Sequence, residues 1–335
     1  MKYAIYGAGS LGLIFSAYLA KDGENFDLID RNLKSVQAIN ENGIRVTGKT
    51  EFTQRVNCVL DTEVIDKYDI IFLLTKQINN IDTIKKISAF LTPDGVICTM
   101  QNGLPEKDVA LVIGKNRTFG CAVGWGATRL DYGVSELTSE PVKEALAFSY
   151  GSFDGIKNEK LDEIGRIFNV MGKATYEENF IGARWSKLLI NSAFSGMSTV
   201  TGHTFGEVSK KMSSRKICLS IIKECIDVCK KANIKVEPVQ GNDIAKLFNY
   251  NNAFKKMIAL MIIPIAMKKH ANIKASMLQD IEKHIPCEIE SINGIVSSFG
   301  REVGVNTPYN DKVVEIVKRI ESGELKPSFD NLKYF

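Results

Sequence analysis

Histidine is scarce in this chain. The three present, His203, His270 and His284, share no spacing that would make a catalytic triad or a metal site. Each reads as structural or solvated. Cysteine is sparse as well: seven residues, an odd number, at no framework spacing. That excludes a disulfide scaffold and fits a reducing, cytoplasmic setting. Cys218, Cys225 and Cys229 fall at helical spacing with no histidine near them, so they read as core and not as zinc ligands. A surplus of one charge is missing too. Against 43 Lys and Arg stand 39 Asp and Glu, a net +4 that is scattered along the chain. No nucleic-acid surface is expected from that, only a mild bias toward small anions. Nor is there a long hydrophobic run. The longest, "MIALMIIPIAM" at 257–267, has 11 residues and contains Pro264. A bilayer span needs about 18–20, so no membrane partner is expected. Lysines flank the run on both sides, at 255, 256, 268 and 269. They suit a helix entering and leaving a core. A homodimer contact is the sharper reading of the same run, and plain core is preferred. The opening "MKYAIYGAG" turns at once into a strand and a glycine loop, so no signal peptide is expected.

What is present is ordinary in bulk and organised in detail. The 335 residues are 44% hydrophobic and 24% charged, values of a soluble globular protein with room for two domains. The first half alternates. "KYAIY" (2–6), "FDLID" (26–30), "DIIFLLT" (69–75) and "GVICTM" (95–100) read as strands, and 7–23 and 78–90 as a glycine turn with helix and a second helix. Such alternation predicts a mainly parallel sheet covered by helices. From 118 to 150, β-branched and aromatic residues with frequent glycines predict short antiparallel strands that extend the sheet. Residues 159–171 read as a helix and 174–178 as a last strand. Beyond about 180, helices are predicted at 181–198, 206–232, 241–270, 286–303 and 308–321. The final "GELKPSFDNLKYF" reads as a loosely held tail. The expectation is an α/β domain over 1–178 and an all-helical domain over 179–335.

Gly7-Ala8-Gly9-Ser10-Leu11-Gly12 follows a strand and opens a helix. Glycine is needed there for the tight turn, for close approach of a pyrophosphate and for helix–strand packing. The helix N-terminus offers N–H groups and positive potential to the phosphates. Asp30 ends the second strand 18 residues after Gly12, where a carboxylate accepts hydrogen bonds from a ribose. A dinucleotide cofactor is therefore expected. Asp30 favours NADH, whereas Arg31 and Lys76 could hold the extra phosphate of NADPH; the lean is slightly to NADH.

"RWSKLLINSAFSG" (184–196) sets a lysine among apolar side chains. Lys187, Asn191 and Ser195 fall four apart and share one helical stripe. A buried ammonium costs several kcal/mol or loses its proton, so an apolar setting asks for a reason.

With "GAGSLG", "LLTK" ending at Lys76, "QNGL" at 101–104, "RWSKLLIN" at 184–191 and "SMLQDIEKHIPCEIESING" at 276–294, the chain resembles the ketopantoate reductase (2-dehydropantoate 2-reductase) family over nearly its whole length. The resemblance implies a Rossmann domain and a helical domain with the active site in the cleft between them. It implies reduction of a 2-oxo acid to an (R)-2-hydroxy acid by NAD(P)H, in pantothenate biosynthesis. It makes Lys187 the general acid, with Glu288 beside it and the cofactor. It makes Asn191, Ser276 and Asn102 substrate contacts, and Lys76 and Asn102 cofactor contacts. Two positions depart from the pattern. Ser195 stands where a second asparagine is usual, and Phe205 precedes Gly206-Glu207 where another asparagine is usual. Both changes remove amides that would hold hydroxyl groups. They favour a rival within the family, an NAD-dependent D-2-hydroxy acid dehydrogenase for branched or aromatic acids; if Phe205 lines the cleft, it favours a more apolar acyl side chain. A rival of another class is a dinucleotide-binding protein without catalysis; the retained Lys187, Asn191, Ser276 and Glu288 argue against it.

Overall fold

The computed structural model describes residues 1–239 and 242–335. They form two compact units: Met1–Gln101 with Pro105–Phe180, and Asn102–Leu104 with Ile181–Phe335. The strands in chain order are β1 (Tyr3–Tyr6), β2 (Asp27–Asp30), β3 (Ile44–Gly48), β4 (Phe52–Gln54), β5 (Cys58–Leu60), β6 (Tyr68–Leu73), β7 (Leu91–Thr99), β8 (Thr118–Val123), β9 (Ala127–Asp131), β10 (Val134–Leu137), β11 (Phe148–Ser152) and β12 (Ala174–Tyr176). All belong to the first unit. Its helices are α1 (Ser10–Lys21), α2 (Leu33–Asn42), α3 (Asn80–Ser88), α4 (Glu106–Ile113) and α5 (Glu159–Met171).

The main sheet runs β12-β11-β8-β7-β6-β1-β2-β5. It is parallel from β5 through β8, with β11 antiparallel to β8. β1 throughout and β6 from Ile70 to Leu73 are apolar and buried because both faces of this sheet are covered. On one face Phe15 of α1 meets Phe72, Phe148 and Phe168, and the last two stack with ring centroids 4.8 Å apart.

The expected extension over 118–150 is only partly what forms. β8 and β11 join the main sheet, and β8 runs parallel to β7. β9 and β10 leave it. They make a second sheet, ordered β4-β3-β10-β9, in which β10 is parallel to β3. The partner strands β3 and β4 are short, lie about ninety residues earlier and alternate buried with exposed. Neither they nor β5 were anticipated.

The second unit contains α6 (Phe180–Ile190, its first residue in the first unit), a π-helical turn (Asn191–Ser195), α7 (Gly196–Thr201), α8 (Phe205–Lys210), α9 (Met212–Lys231), α10 (Ile244–Phe248), α11 (Ala253–Ala266), α12 (Ser276–Glu282), a second π turn (Glu290–Gly294), α13 (Ile295–Val303) and α14 (Pro308–Glu321). The helix expected at 206–232 breaks at Lys211, whose ψ of 120° is extended. The helix expected at 241–270 becomes α10 and α11, because the Asn252 side chain caps a fresh start by accepting from Lys255 N–H; residue 241 lies outside the described residues. α12 was not anticipated. The tail is not loose. Asn331 is buried and donates to the carbonyls of Val200 and Lys326, each at 2.9 Å, and Phe335 stacks on Tyr309.

The two π turns pack on each other. A widened turn loosens the helical ladder, and its carbonyls need other donors. Asn293, in the second turn, donates through Nδ2 to Ser192 O in the first and to Asn310 Oδ1, both at 3.0 Å. Asn310 Nδ2 donates to Glu224 Oε2 at 2.7 Å, and Glu224 also accepts from the backbone of Tyr309 and Asn310, capping α14. Burial pushes the Glu224 carboxyl above its ordinary range while these donors pull it down. Gly196 leaves the space: a Cβ there would sit 2.8 Å from Asn293 Oδ1.

Replacing Asn293 strands two buried acceptors, each costing about 1–3 kcal/mol. Asn293→Ala should therefore lower the unfolding free energy by about 2–4 kcal/mol in urea titrations. A loss within error would mean that this amide does not hold the turns.

Candidate functional site

The glycine loop is built as its residues require. Gly7 has φ +116°, and its N–H donates to Ile29 O at 2.8 Å. A Cβ on Gly12 would lie 1.9 Å from Gly7 O, so α1 can start this close to β1 only with glycine there. Gly9 caps α1 without offering a side chain, and the space its Cβ would take is open. The loop therefore leaves a cradle at the N-terminus of a 12-residue helix, where a pyrophosphate fits. Asp30 stands beside it. Its Oδ2 accepts from Ala8 N–H at 2.6 Å and its Oδ1 from Asn32 N–H at 2.8 Å. This carboxylate thus also clamps the loop, a role its spacing did not reveal. Ser10 and Leu11 are half-buried in the first turn of α1; Arg31 is exposed and Lys76 half-buried.

Lys187 lies on α6. Trp185, Leu188 and Leu189 around it are buried, while Ala183, Lys187, Asn191 and Ser195 form a half-buried row. The lysine is thus on the one stripe of this segment that is not core. Its Nζ donates to Asn102 Oδ1 at 2.9 Å. Asn102 follows β7 and belongs with Gly103 and Leu104 to the second unit; Gly103 has φ +74°. The residue before is buried and tied down. Gln101 Nε2 donates to Thr75 O and to Asn80 Oδ1, and its Oε1 accepts from Thr99 Oγ1, all at 2.9 Å. Asn80 in turn donates to Asp108. Thr99 and Asn80 were missed, and Gln101 was quoted only as part of a motif.

Glu288 is half-buried, and its backbone carbonyl accepts from the N–H groups of Ser291 and Ile292, so it starts the helix that carries the second π turn. Ser276 is exposed at the first position of α12, which packs on α7 and on the π turn of Asn191 and Ser195. The structure thus joins Lys187 to Asn102 directly and sets the helices of Ser276 and Glu288 against the Asn191–Ser195 turn. Phe205 requires a correction. Its effect on the substrate was conditional on its lining a cleft; it is only 7% exposed and packs in the core against Phe194, because α8 is held there by Phe205 N–H and Gly206 N–H on the carbonyls of Ile273 and Ala271. Ser195 stays on the half-buried row.

Cysteine chemistry is absent from this picture. Burial, with Glu321 adding to it, pushes the Cys287 thiol well above its ordinary range, and burial pushes Cys225 up to about 12. These are neutral thiols. Among the described residues no group of acidic, histidine or cysteine side chains is placed to hold a metal, and no helix is long and apolar enough to cross a membrane.

Comparison with known proteins bears on the whole chain. The family described as "Ketopantoate reductase PanE/ApbA" matches residues 3–148, and "Ketopantoate reductase PanE/ApbA C terminal" matches 179–321. A 2-dehydropantoate 2-reductase of Pyrococcus horikoshii is 26% identical over 96% of this chain and 98% of its own, and one of Streptococcus pyogenes serotype M1 matches equally well. Among solved structures, D-mandelate dehydrogenase with NADH and anilino(oxo)acetate shares the fold at TM-score 0.81, 23% identity and coverage of 96% and 99%. A PanE/ApbA family ketopantoate reductase from Ralstonia eutropha JMP134 does so at 0.80, 20%, 97% and 99%. With its glycine cradle, its Lys187–Asn102 pair and both family domains matched, the chain belongs to the ketopantoate reductase family.

Proposed function

We propose that this protein reduces a 2-oxo acid to an (R)-2-hydroxy acid with a nicotinamide dinucleotide, with 2-dehydropantoate as the leading substrate. The observation that carries the reading is the 2.9 Å bond from Lys187 to Asn102 on the half-buried stripe of an otherwise buried helical segment. The dinucleotide, when bound, supplies the hydride. The loop Gly7–Gly12 holds its phosphates, and Asp30, with Arg31 next to it and Lys76 just after β6, meets the adenosine end. Asp30 favours NADH over NADPH, since a carboxylate repels a 2′-phosphate.

Hydride addition leaves negative charge on the carbonyl oxygen. Lys187 faces that charge as an ammonium and delivers the proton to that oxygen. Asn102 fixes the direction of Nζ by accepting one of its N–H bonds. Asn191 and Ser276 orient the substrate, and Glu288 stands beside Lys187 and the cofactor. Asn102 would also contact the cofactor when it is bound. Ser195 is the position that keeps the second reading alive: without an amide there, the site is better suited to an acid with fewer hydroxyls, as a D-2-hydroxy acid dehydrogenase would take.

Lys187→Ala should lower kcat by about 10²–10⁴-fold with the melting temperature and dinucleotide binding intact. Near-normal turnover in that variant would refute the role. Gly12→Ala should abolish dinucleotide binding in a fluorescence titration, because its Cβ meets the Gly7 carbonyl. Steady-state rates should favour NADH; a large preference for NADPH would overturn the argument from Asp30. Ketopantoate, 2-ketoisovalerate and benzoylformate compared side by side decide the substrate. Ser195→Asn should raise kcat/KM for ketopantoate relative to the other two. Tight dinucleotide binding with no turnover on any 2-oxo acid would leave a binding protein.

A further inference from the structure

Ser198 on α7 is fully buried, and its hydroxyl is used twice. Oγ donates to His203 O at 2.6 Å and accepts from Ala275 N–H at 3.3 Å. The His203 side is held in its turn. The ring Nδ1 lies 2.7 Å from Thr201 O, and the ring stacks on Phe329 of the tail with centroids 4.0 Å apart. With its proton committed to the His203 carbonyl, the hydroxyl has only lone pairs left for Ala275. A buried hydroxyl that merely serves its own helix looks different. Thr201 Oγ1 donates to Met197 O, one turn back on α7, at 2.7 Å. Ser198 instead directs its proton past the end of α7 and accepts from another element.

Both ends of the Ser198–Ala275 bond belong to elements with proposed substrate residues. The helix of Lys187 runs without a break through the first π turn into α7, so Asn191, Ser195 and Ser198 ride on one rod. Ala275 immediately precedes Ser276 and has no side-chain acceptor to offer the start of α12. The irregular stretch before it is tied to α8 by Phe205 N–H on Ile273 O and Gly206 N–H on Ala271 O, both at 2.9 Å. The bond from Ala275 ties the same stretch to the rod of Lys187. We infer that Ser198 is a positioning residue for the 2-oxo acid. Its hydroxyl sets where Ser276 stands relative to Asn191 and Ser195, and through that how tightly the acid is held. The inference rests on the proposed reaction and on Asn191 and Ser276 as substrate contacts. Being fully buried, Ser198 acts through Ser276 and not on the acid itself. Alanine there would leave the His203 carbonyl and the Ala275 N–H without this partner inside the core.

Steady-state kinetics on the full chain, with acid and dinucleotide varied in turn, test the inference. Ser198→Ala should raise KM for the preferred 2-oxo acid about 5–10-fold, with kcat within about twofold and the dinucleotide dissociation constant unchanged. Thr201→Val, at another fully buried position, removes a hydroxyl that bonds within its own helix. It should lower stability to urea without moving KM. Ala275→Pro deletes the other partner, since the φ of −56° at Ala275 is one that proline adopts. It should raise KM as Ser198→Ala does, and the double variant should be no worse than either single one. If Ser198→Ala does not fold, Ala275→Pro carries the test. A wild-type KM in either variant overturns the inference. So does an equal rise in Thr201→Val, and so do single effects that multiply in the double variant. A wild type without turnover on any 2-oxo acid removes the proposed reaction and this inference with it. Wild-type turnover with an unmoved KM in Ser198→Ala removes this inference alone.

Discussion

The carbonyl of Ser192 takes a side-chain donor inside a core. The helix that carries Lys187 changes pitch four residues after the lysine, and a change of pitch loosens the backbone ladder where water cannot compensate. Asn293 answers from the facing π turn, and Asn310 and Glu224 complete the chain of bonds to the start of α14. Three helical segments that carry or adjoin the proposed site residues are thereby held by one buried side chain. An apolar residue could fill the same volume. It could not satisfy Ser192 and Asn310 at once, so polarity in this core has a geometric purpose.

Much of this was legible in the residues. The glycine loop announced itself because steric limits on a turn beneath a phosphate leave few residue types. The lysine stripe was legible because a charge at apolar spacing demands a reason, and the half-buried row Ala183, Lys187, Asn191 and Ser195 is that row. α14 was legible to the residue, since Pro308 opens it and its apolar positions keep strict period.

What was illegible depends on partners far away in sequence. β3 and β4 are half-exposed and three to five residues long, and they exist because β10 pairs with β3. Phe205 looked like a substituent in a binding site because the resemblance placed it there; its burial follows from the backbone bonds to Ala271 and Ile273, which no local pattern records. The tail looked loose because its anchors are single contacts, chiefly Asn331 on Val200. Composition could not separate the buried face of α11 (Ala259, Leu260, Ile263) from the exposed one (Met261, Ile265), because periodicity tells nothing when every position is apolar.

The short segment Asn102–Leu104 draws these threads together. It follows a strand of the first unit, yet it packs with the second. Gln101, its neighbour, is held by Thr75, Asn80 and Thr99 at the carboxyl end of the parallel strands, where open α/β sheets bind their ligands. One peptide bond later, Asn102 accepts from Lys187.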